Sequence, residues 1–170
     1  MKRMTLVLFA LVSVSLARAA TPAPAPTPAC TAAEFRQFDF WLGKWKVTDP
    51  KGKETGTSEI SRASEGCAVR EEWKSARGMR GMSINYYDQA DRRWHQDWVG
   101  GDGTILHLRG GMEGNAMVLK GDTKGPKGIV SNRITYTPLP GGKVKQEWAV
   151  SNDAGQSWQI SFLGIYEKQI

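Results

Sequence analysis

The strongest constraint on the fold of this chain is a succession of short segments in which apolar and polar residues alternate. Ten such segments follow one another, separated by turns rich in glycine, aspartate, asparagine and proline. They span residues 44–48, 55–63, 68–75, 82–87, 93–99, 104–109, 116–120, 129–137, 144–151 and 158–167. Alternation is typical of β-strands with one covered face, because successive side chains point to opposite sides of a sheet.

The links between these segments are short. Tight turns are predicted at residues 88–91, 100–103, 110–114, 140–142 and 152–155. Short links join antiparallel neighbours, and a long run of such strands with one covered face closes on itself. We therefore predict an all-β fold, a single antiparallel meander β-barrel of about ten strands. A two-sheet sandwich is the alternative, but it needs longer links, and only residues 122–128 look long enough.

One segment follows helical spacing instead. Residues 31–34 have the pattern of a capping box, and Phe35, Phe38 and Trp41 recur at helical spacing before Gly43 ends the run. This pattern predicts one short N-terminal helix ahead of the first strand.

Residues 1–20 have the pattern of a secretory signal peptide. Two basic residues precede an apolar run over residues 6–16, and a small-x-small site predicts cleavage near Ala19 or Ala20. A transmembrane anchor is the alternative, but the apolar run is shorter than the roughly 20 residues that cross a bilayer. We therefore expect a periplasmic or secreted protein with no transmembrane segment.

The composition after residue 20 predicts a leader and one domain. Residues 21–29 alternate proline with alanine and threonine, which is typical of a disordered leader, and residues 30–170 suit a single barrel domain. Removal of the three basic residues of the signal peptide from the 23 in the chain leaves 20 against 17 acidic residues, a net charge of +3. This small excess gives little support for a nucleic-acid partner.

Cys30 and Cys67 are expected to form a disulfide, because exported proteins mature in an oxidising compartment. Closing a loop of about 40 residues would add roughly 4 kcal/mol to the stability. Two buried free thiols are the alternative.

Three of the predicted strands share a motif in which a long polar side chain stands two residues before a tryptophan. The pairs are Glu71 and Trp73, Gln96 and Trp98, and Gln146 and Trp148. Residues two apart on a strand share a face, and the neighbouring apolar residues mark this face as the covered one. Polar groups among aromatic rings would stay unsatisfied in a dry core. The motif therefore predicts a ligand cavity inside the barrel.

Glu71 is the weak candidate for a catalytic residue, because burial raises the pKa of a carboxyl group towards a value that suits proton transfer. The alternative is a structural carboxyl group satisfied by Gln96, Gln146 or buried water. The two glutamines can donate and accept hydrogen bonds, which suits the orientation of a ligand, although they could equally form an internal network.

Two further residues are assigned to the site, although the sequence does not decide whether their side chains point into the barrel. Asn85 competes with its neighbours for the inner face, and Arg133 is the natural ionic partner of Glu71 although alternation directs it outward. The predicted ligand-binding residues are Glu71, Trp73, Asn85, Gln96, Trp98, Arg133, Gln146 and Trp148. Trp158 is a further candidate for the cavity wall.

The segment Phe38-Asp39-Phe40-Trp41-Leu42-Gly43-Lys44-Trp45 resembles the lipocalin or calycin signature. In that superfamily the tryptophan of Gly-x-Trp lies at the closed end of the barrel beneath a basic residue of the last strand, which Lys168 matches here. Residues 38–168 also resemble an uncharacterised secreted bacterial domain-of-unknown-function family of calycin type, with further matches at residues 67–73, 81–85, 94–98, 133–136 and 151–158. The resemblance implies the fold and no particular chemistry.

The two histidines, His95 and His107, alternate opposite the inner face. Some related barrels hold haem through one histidine, but the outward facing of both makes haem unexpected here, and no metal or other cofactor is expected. The leading hypothesis is an exported barrel that binds a small, partly apolar molecule. The alternatives are a barrel enzyme that uses Glu71 for acid–base chemistry and a structural envelope protein with a filled core.

Overall fold

The computed structural model describes residues 30–169, in which ten antiparallel strands close into one barrel. Each strand pairs with the next along the chain, and the first pairs with the last. The strands are β1 (Gly43–Thr48), β2 (Glu54–Ala63), β3 (Ala68–Ser75), β4 (Arg80–Asp88), β5 (Arg93–Gly100), β6 (Ile105–Glu113), β7 (Ala116–Gly125), β8 (Gly128–Leu139), β9 (Lys143–Ser151) and β10 (Gln159–Lys168). The predicted all-β meander barrel is confirmed. The predictions for residues 1–20 and 21–29 lie outside the described residues.

The segment that could have crossed between two sheets is part of a hairpin. Residues 122–128 belong to the ends of β7 and β8 and to the tight turn between them, where Gly125 pairs with Gly128. Because β7 and β8 are direct neighbours, the chain follows the meander here, and the sandwich alternative is wrong.

The turn predicted at residues 110–114 is mostly strand, because β6 continues to Glu113. Its glycines had indicated a turn. Gly110 serves a different purpose, since a Cβ atom there would lie 2.0 Å from the carbonyl oxygen of Val118 on β7. A glycine inside a strand permits this close approach of two backbones.

The N-terminal helical segment consists of two short 3₁₀ turns, Ala33–Arg36 and Asp39–Trp41. Ala32 precedes the first turn, and no side-chain hydrogen bond caps it, so the capping box predicted at residues 31–34 does not form. In the described part of the chain, no helix has the length and apolar character needed to cross a bilayer.

Residues 33–41 form an aromatic plug that fills one end of the barrel. Phe38 and Trp41 are fully buried. The Phe38 ring lies 5.6 Å from the Trp94 ring, and the Trp41 ring lies 4.5 Å from the Tyr136 ring, measured between centroids. Because Trp94 belongs to β5 and Tyr136 to β8, the plug contacts separate parts of the barrel wall and closes the lumen at this end.

The aromatic plug is tied to the barrel by a covalent bond and by hydrogen bonds. The predicted disulfide between Cys30 and Cys67 is confirmed, with their Cα atoms 5.0 Å apart. Arg36 donates hydrogen bonds to the carbonyl oxygens of Cys30 at 2.8 Å and Gly66 at 2.6 Å. These contacts fix the plug against the start of β3.

Trp45 of β1 completes the closed end. Its indole is fully buried, and its Nε1 donates to the carbonyl oxygen of Trp41 at 2.8 Å. Lys168 pairs with Trp45 across β1 and β10, and its Nζ lies 5.4 Å from the centroid of the indole. The seam that closes the barrel therefore also carries the residues that seal its end.

We expect Trp45→Ala to lower the free energy of unfolding by roughly 3–5 kcal/mol, because it empties a large aromatic site and removes a hydrogen bond to the plug. Urea unfolding followed by circular dichroism measures this loss. Lys168→Met keeps the aliphatic cover and is the control, with an expected loss of about 1 kcal/mol or less. A loss well under 1 kcal/mol for Trp45→Ala would contradict the described closure.

Candidate functional site

The barrel contains a cavity of about 850 Å³ that opens at the end opposite the aromatic plug. Its mouth is formed by the β1–β2, β3–β4 and β5–β6 links, which contribute Asp49, Ala76 and Asp102 among others. The volume lies within the range of about 300–1,000 Å³ that small-molecule sites have. The fold therefore leaves room for a ligand in its open half.

Three tryptophans form the aromatic wall of the cavity, as the sequence predicts. Trp73, Trp98 and Trp148 come from β3, β5 and β9 and all line it. Trp148 donates its Nε1–H to Oδ1 of Asn132 at 3.0 Å, and the Trp73 ring meets the Phe162 ring edge-on at 5.7 Å. These contacts fix the indoles of Trp73 and Trp148, so this part of the wall is formed before a ligand enters.

Glycines on neighbouring strands let two of these indoles lie flat along the wall. A Cβ atom at Gly56 would lie 2.8 Å from the Trp73 ring, and one at Gly81 would lie 2.4 Å from the Trp98 ring. Since any larger residue would push these rings inward, the two glycines keep the lumen open.

Glu71 lies on the inner face of β3 and is almost fully buried. Ser58 on β2 donates to its Oε1 at 3.1 Å, and Ser83 on β4 donates to its Oε2 at 3.0 Å. Burial raises the pKa of this carboxyl group from 4.5 to about 7, and the two serine hydrogen bonds offset only part of that effect. Near neutral pH the group is therefore balanced between its charged and neutral forms.

A chain of amides continues from Ser83 across the sheet. Asn85 donates through its Nδ2 to the carbonyl oxygen of Val69 at 3.1 Å and to Oγ of Ser83 at 3.0 Å. Gln96 donates through its Nε2 to Oδ1 of Asn85 and to the hydroxyl oxygen of Tyr136, both at 2.8 Å. Among the described residues, no group donates to Oε1 of Gln96, although this oxygen is buried.

Gln146 and two tyrosines complete the polar network. The Nε2 of Gln146 donates to the Tyr136 hydroxyl oxygen at 3.4 Å, and the Tyr166 hydroxyl donates to Oε1 of Gln146. Burial, and secondarily the nearby Glu71 carboxyl group, raises the pKa of both phenols well above their usual value. Both tyrosines therefore stay neutral hydrogen-bonding groups.

Six of the eight predicted ligand-binding residues line the cavity. They are Glu71, Trp73, Gln96, Trp98, Gln146 and Trp148. Asn85 is fully buried and acts as the hydrogen-bond partner that orients Gln96. The Asn85 side chain points into the barrel, a direction that the sequence did not decide.

Arg133 does not line the cavity. Its guanidinium carbon lies 4.3 Å from the centroid of the Trp158 ring, and Trp158 is likewise absent from the cavity wall formed by residues 30–169. The β8–β9 register runs without a shift from Ser131 to Leu139, so alternation places Asn132 and Ile134 inward and Arg133 outward. The expectation that Arg133 reaches the ligand site is corrected by its position.

Sequence reasoning did not assign Ser58, Tyr136 or Tyr166 to the site. Each occupies an inner position of its strand. Serine and tyrosine are common at inner positions of ordinary barrels, so their residue types alone do not indicate a site. Their importance comes from hydrogen bonds across the barrel, which a linear pattern does not contain.

The histidines lie on the outer face. His107 is exposed and bonds Oδ1 of Asp97 through its Nδ1 at 2.6 Å. In the part of the chain that is described, one cluster has the spacing of a metal site, formed by Asp88, Asp91 and His95 within 4.8 Å of one another. The Nε2 of His95 is already engaged by Oδ2 of Asp91 at 2.9 Å, so a surface hydrogen bond accounts for the cluster.

Comparison with protein-family models and with curated proteins finds no match for this chain. The function must therefore be inferred from the geometry of the cavity.

The free energy of unfolding of the wild type should decline as the pH rises, and we expect Glu71→Gln to abolish this decline. The folded state keeps the Glu71 proton up to a pKa of about 7, whereas the unfolded chain loses it near 4.5. The free energy of unfolding should therefore fall as the pH rises through this interval, by roughly 2.5 kcal/mol between pH 5 and pH 8 relative to Glu71→Gln.

Urea unfolding of both proteins at several pH values measures this difference. At pH 5 the two should be nearly equal, because a neutral carboxyl group and an amide have similar shape and polarity. At pH 8 the variant should be the more stable of the two. A variant that is less stable than the wild type at pH 8 would show that the ionised carboxylate is firmly anchored.

Proposed function

We propose that this protein binds a small, partly apolar molecule in the open half of its barrel. The observation that supports this most directly is a cavity of about 850 Å³, lined at its deep end by Glu71, Gln96 and Tyr136. The buried Oε1 of Gln96 has no partner among the described residues. A buried polar atom without a partner costs roughly 1–3 kcal/mol. A ligand that donates a hydrogen bond there would remove this cost.

The shape of the wall supports a ligand with a flat apolar body. Trp73 and Trp98 lie along the wall over glycines, and Trp148 is held by Asn132. Fixed aromatic faces around an open space offer stacking surface with little loss of side-chain entropy on binding. The filled-core alternative would instead need these side chains to meet across the lumen.

Export belongs to the same proposal. The Cys30–Cys67 disulfide is typical of an oxidising compartment, and the pattern of residues 1–20 is that of a secretory signal. We therefore propose that the protein meets its ligand outside the cytoplasm.

Acid–base catalysis is a second candidate, and the pKa of Glu71, raised to about 7, is the observation that favours it. Both carboxylate oxygens of Glu71 accept serine hydrogen bonds, and Lys53 and Arg77, the basic residues among the described lining, belong to mouth loops. At the deep end of the cavity, a reaction near neutral pH would have to rely on Glu71 as the titrating group, because burial keeps Tyr136 and Tyr166 neutral. In an enzyme, Glu71→Gln would abolish turnover and leave affinity largely intact, whereas in a binding protein only affinity would change.

We expect the purified protein to bind N-phenyl-1-naphthylamine, a neutral apolar probe whose fluorescence rises in an apolar site. Trp148→Leu should weaken this binding roughly 5–10-fold, because one aromatic face of the wall is lost. Trp158→Leu is the matched control, since Trp158 stacks on Arg133 outside the cavity, and it should bind as the wild type does.

Circular dichroism confirms that both variants are folded before they are titrated. The filled-core alternative would be supported if the wild type failed to bind the probe. Equal weakening by Trp148→Leu and Trp158→Leu would place the probe on the outer surface and contradict the proposed site.

A further inference from the structure

The deep end of the cavity has one buried hydrogen-bond acceptor without a donor among the described residues. The carbonyl oxygen of Val69 can only accept, so Asn85 must direct its Nδ2 towards it and its Oδ1 towards Gln96. Gln96 must then present its Nε2 to Asn85, which leaves its Oε1 as the acceptor without a donor among the described residues. The orientation of both amides is therefore set by the backbone, and the unpaired atom is an acceptor.

The charge at this end is also of one sign. Glu71 lies here, and the serines that contact it carry no charge. Tyr136 on β8 and Tyr166 on β10 face Glu71 as neutral phenols, because burial raises the pKa of each. Within residues 30–169, no positive side chain meets the Glu71 carboxyl group at a salt-bridge distance.

The charged residues of the mouth do not reverse this balance. Among the described lining residues, Lys53 and Arg77 are basic, and both lie in the loops of the mouth. They are accompanied there by Asp49, Glu54 and Asp102. An anionic ligand would therefore find no counter-charge at the deep end, and its charge would meet that of Glu71.

We propose that the ligand is an amine with a flat apolar body, whose ammonium group lies at the deep end of the cavity beside Glu71 and the unpaired Oε1 of Gln96. This inference rests on the proposed function and adds the chemical class of the ligand. An ammonium group has donors and no acceptor, which suits the unpaired Oε1 of Gln96 and the carboxylate of Glu71. Its charge compensates the Glu71 carboxylate, and the tryptophan faces stack on the apolar body and attract the cation.

The test uses three probes that share one body and differ in the head group, namely tryptamine with an ammonium group, tryptophol with a hydroxyl group and indole-3-acetate with a carboxylate. Isothermal titration calorimetry at pH 8 measures each affinity for the purified wild-type protein. Tryptamine should bind at least about tenfold more tightly than tryptophol, because charge-assisted hydrogen bonds are roughly twice as strong as neutral ones. Indole-3-acetate should bind most weakly of the three.

The same titrations at pH 6 test the role of Glu71. The affinity for tryptamine should rise about tenfold from pH 6 to pH 8, because a carboxyl group with a pKa of about 7 passes from about one-tenth to about nine-tenths ionised. Tryptamine keeps its own charge throughout this range, and the affinity for tryptophol should stay within about twofold.

Glu71→Gln is the matched variant, since it keeps the shape of the side chain and removes its charge. It should lower the affinity for tryptamine roughly tenfold at pH 8, abolish the pH dependence and leave tryptophol nearly unchanged. The comparison of probes on the wild type decides the inference even if this variant folds poorly.

Tighter binding of tryptophol or indole-3-acetate than of tryptamine would overturn the inference and leave the proposed function intact, since a ligand would still occupy the cavity. Absence of binding by all three probes would also overturn it. In that case, binding of N-phenyl-1-naphthylamine at the Trp148 wall would preserve the proposed function, and its failure would end both proposals.

Discussion

The width of a ten-stranded barrel is the constraint on which the rest of this structure depends. Inward side chains can fill the interior of a barrel of about eight strands, and the space grows with each added strand. Here the extra space is filled at one end only, by a plug formed from residues before β1. The division into a packed half and an open half follows from this arrangement.

The packed half also holds the barrel closed. Trp45 lies on the seam between β1 and β10, beneath Lys168 and bonded to the backbone of the plug. The disulfide of Cys30 fixes the other end of the plug to the chain before β3. Stability is therefore concentrated away from the mouth, which frees the open half to keep polar groups and space that a core would not tolerate.

Much of the fold could be predicted because alternation is a local property. It correctly placed Glu71, Gln96 and the tryptophans of their motif inward, and it also placed Arg133 outward. The assignment of Arg133 to the site relied on charge complementarity with Glu71, which would have required a bulge. The structure satisfies Glu71 with Ser58 and Ser83 instead, so two hydroxyl groups replace the ion pair.

The parts that could not be predicted depend on partners far apart in the sequence. The sequence indicates that Gly110 belongs to a turn, whereas it lies within β6, where the backbone of β7 approaches it closely. Tyr136 gains its role from contacts with Gln96 and Gln146, and Tyr166 from its contact with Gln146. Neither residue type nor spacing along one strand indicates these contacts. These contacts exist only when the strands are paired in the closed barrel, so a pattern along one strand does not contain them.

The polar network shows how one atom comes to be left for a ligand. Each amide in it is oriented by the one before, starting from the carbonyl oxygen of Val69, so the pattern of donors is fixed as far as Gln96. A network of this kind can end in mutual satisfaction or in an unpaired atom, and here it ends in the buried Oε1 of Gln96. No side chain of the described residues reaches this oxygen as a donor. The unpaired oxygen destabilises the ligand-free protein. A ligand that donates a hydrogen bond to it would remove this effect and would therefore be favoured over one that only accepts.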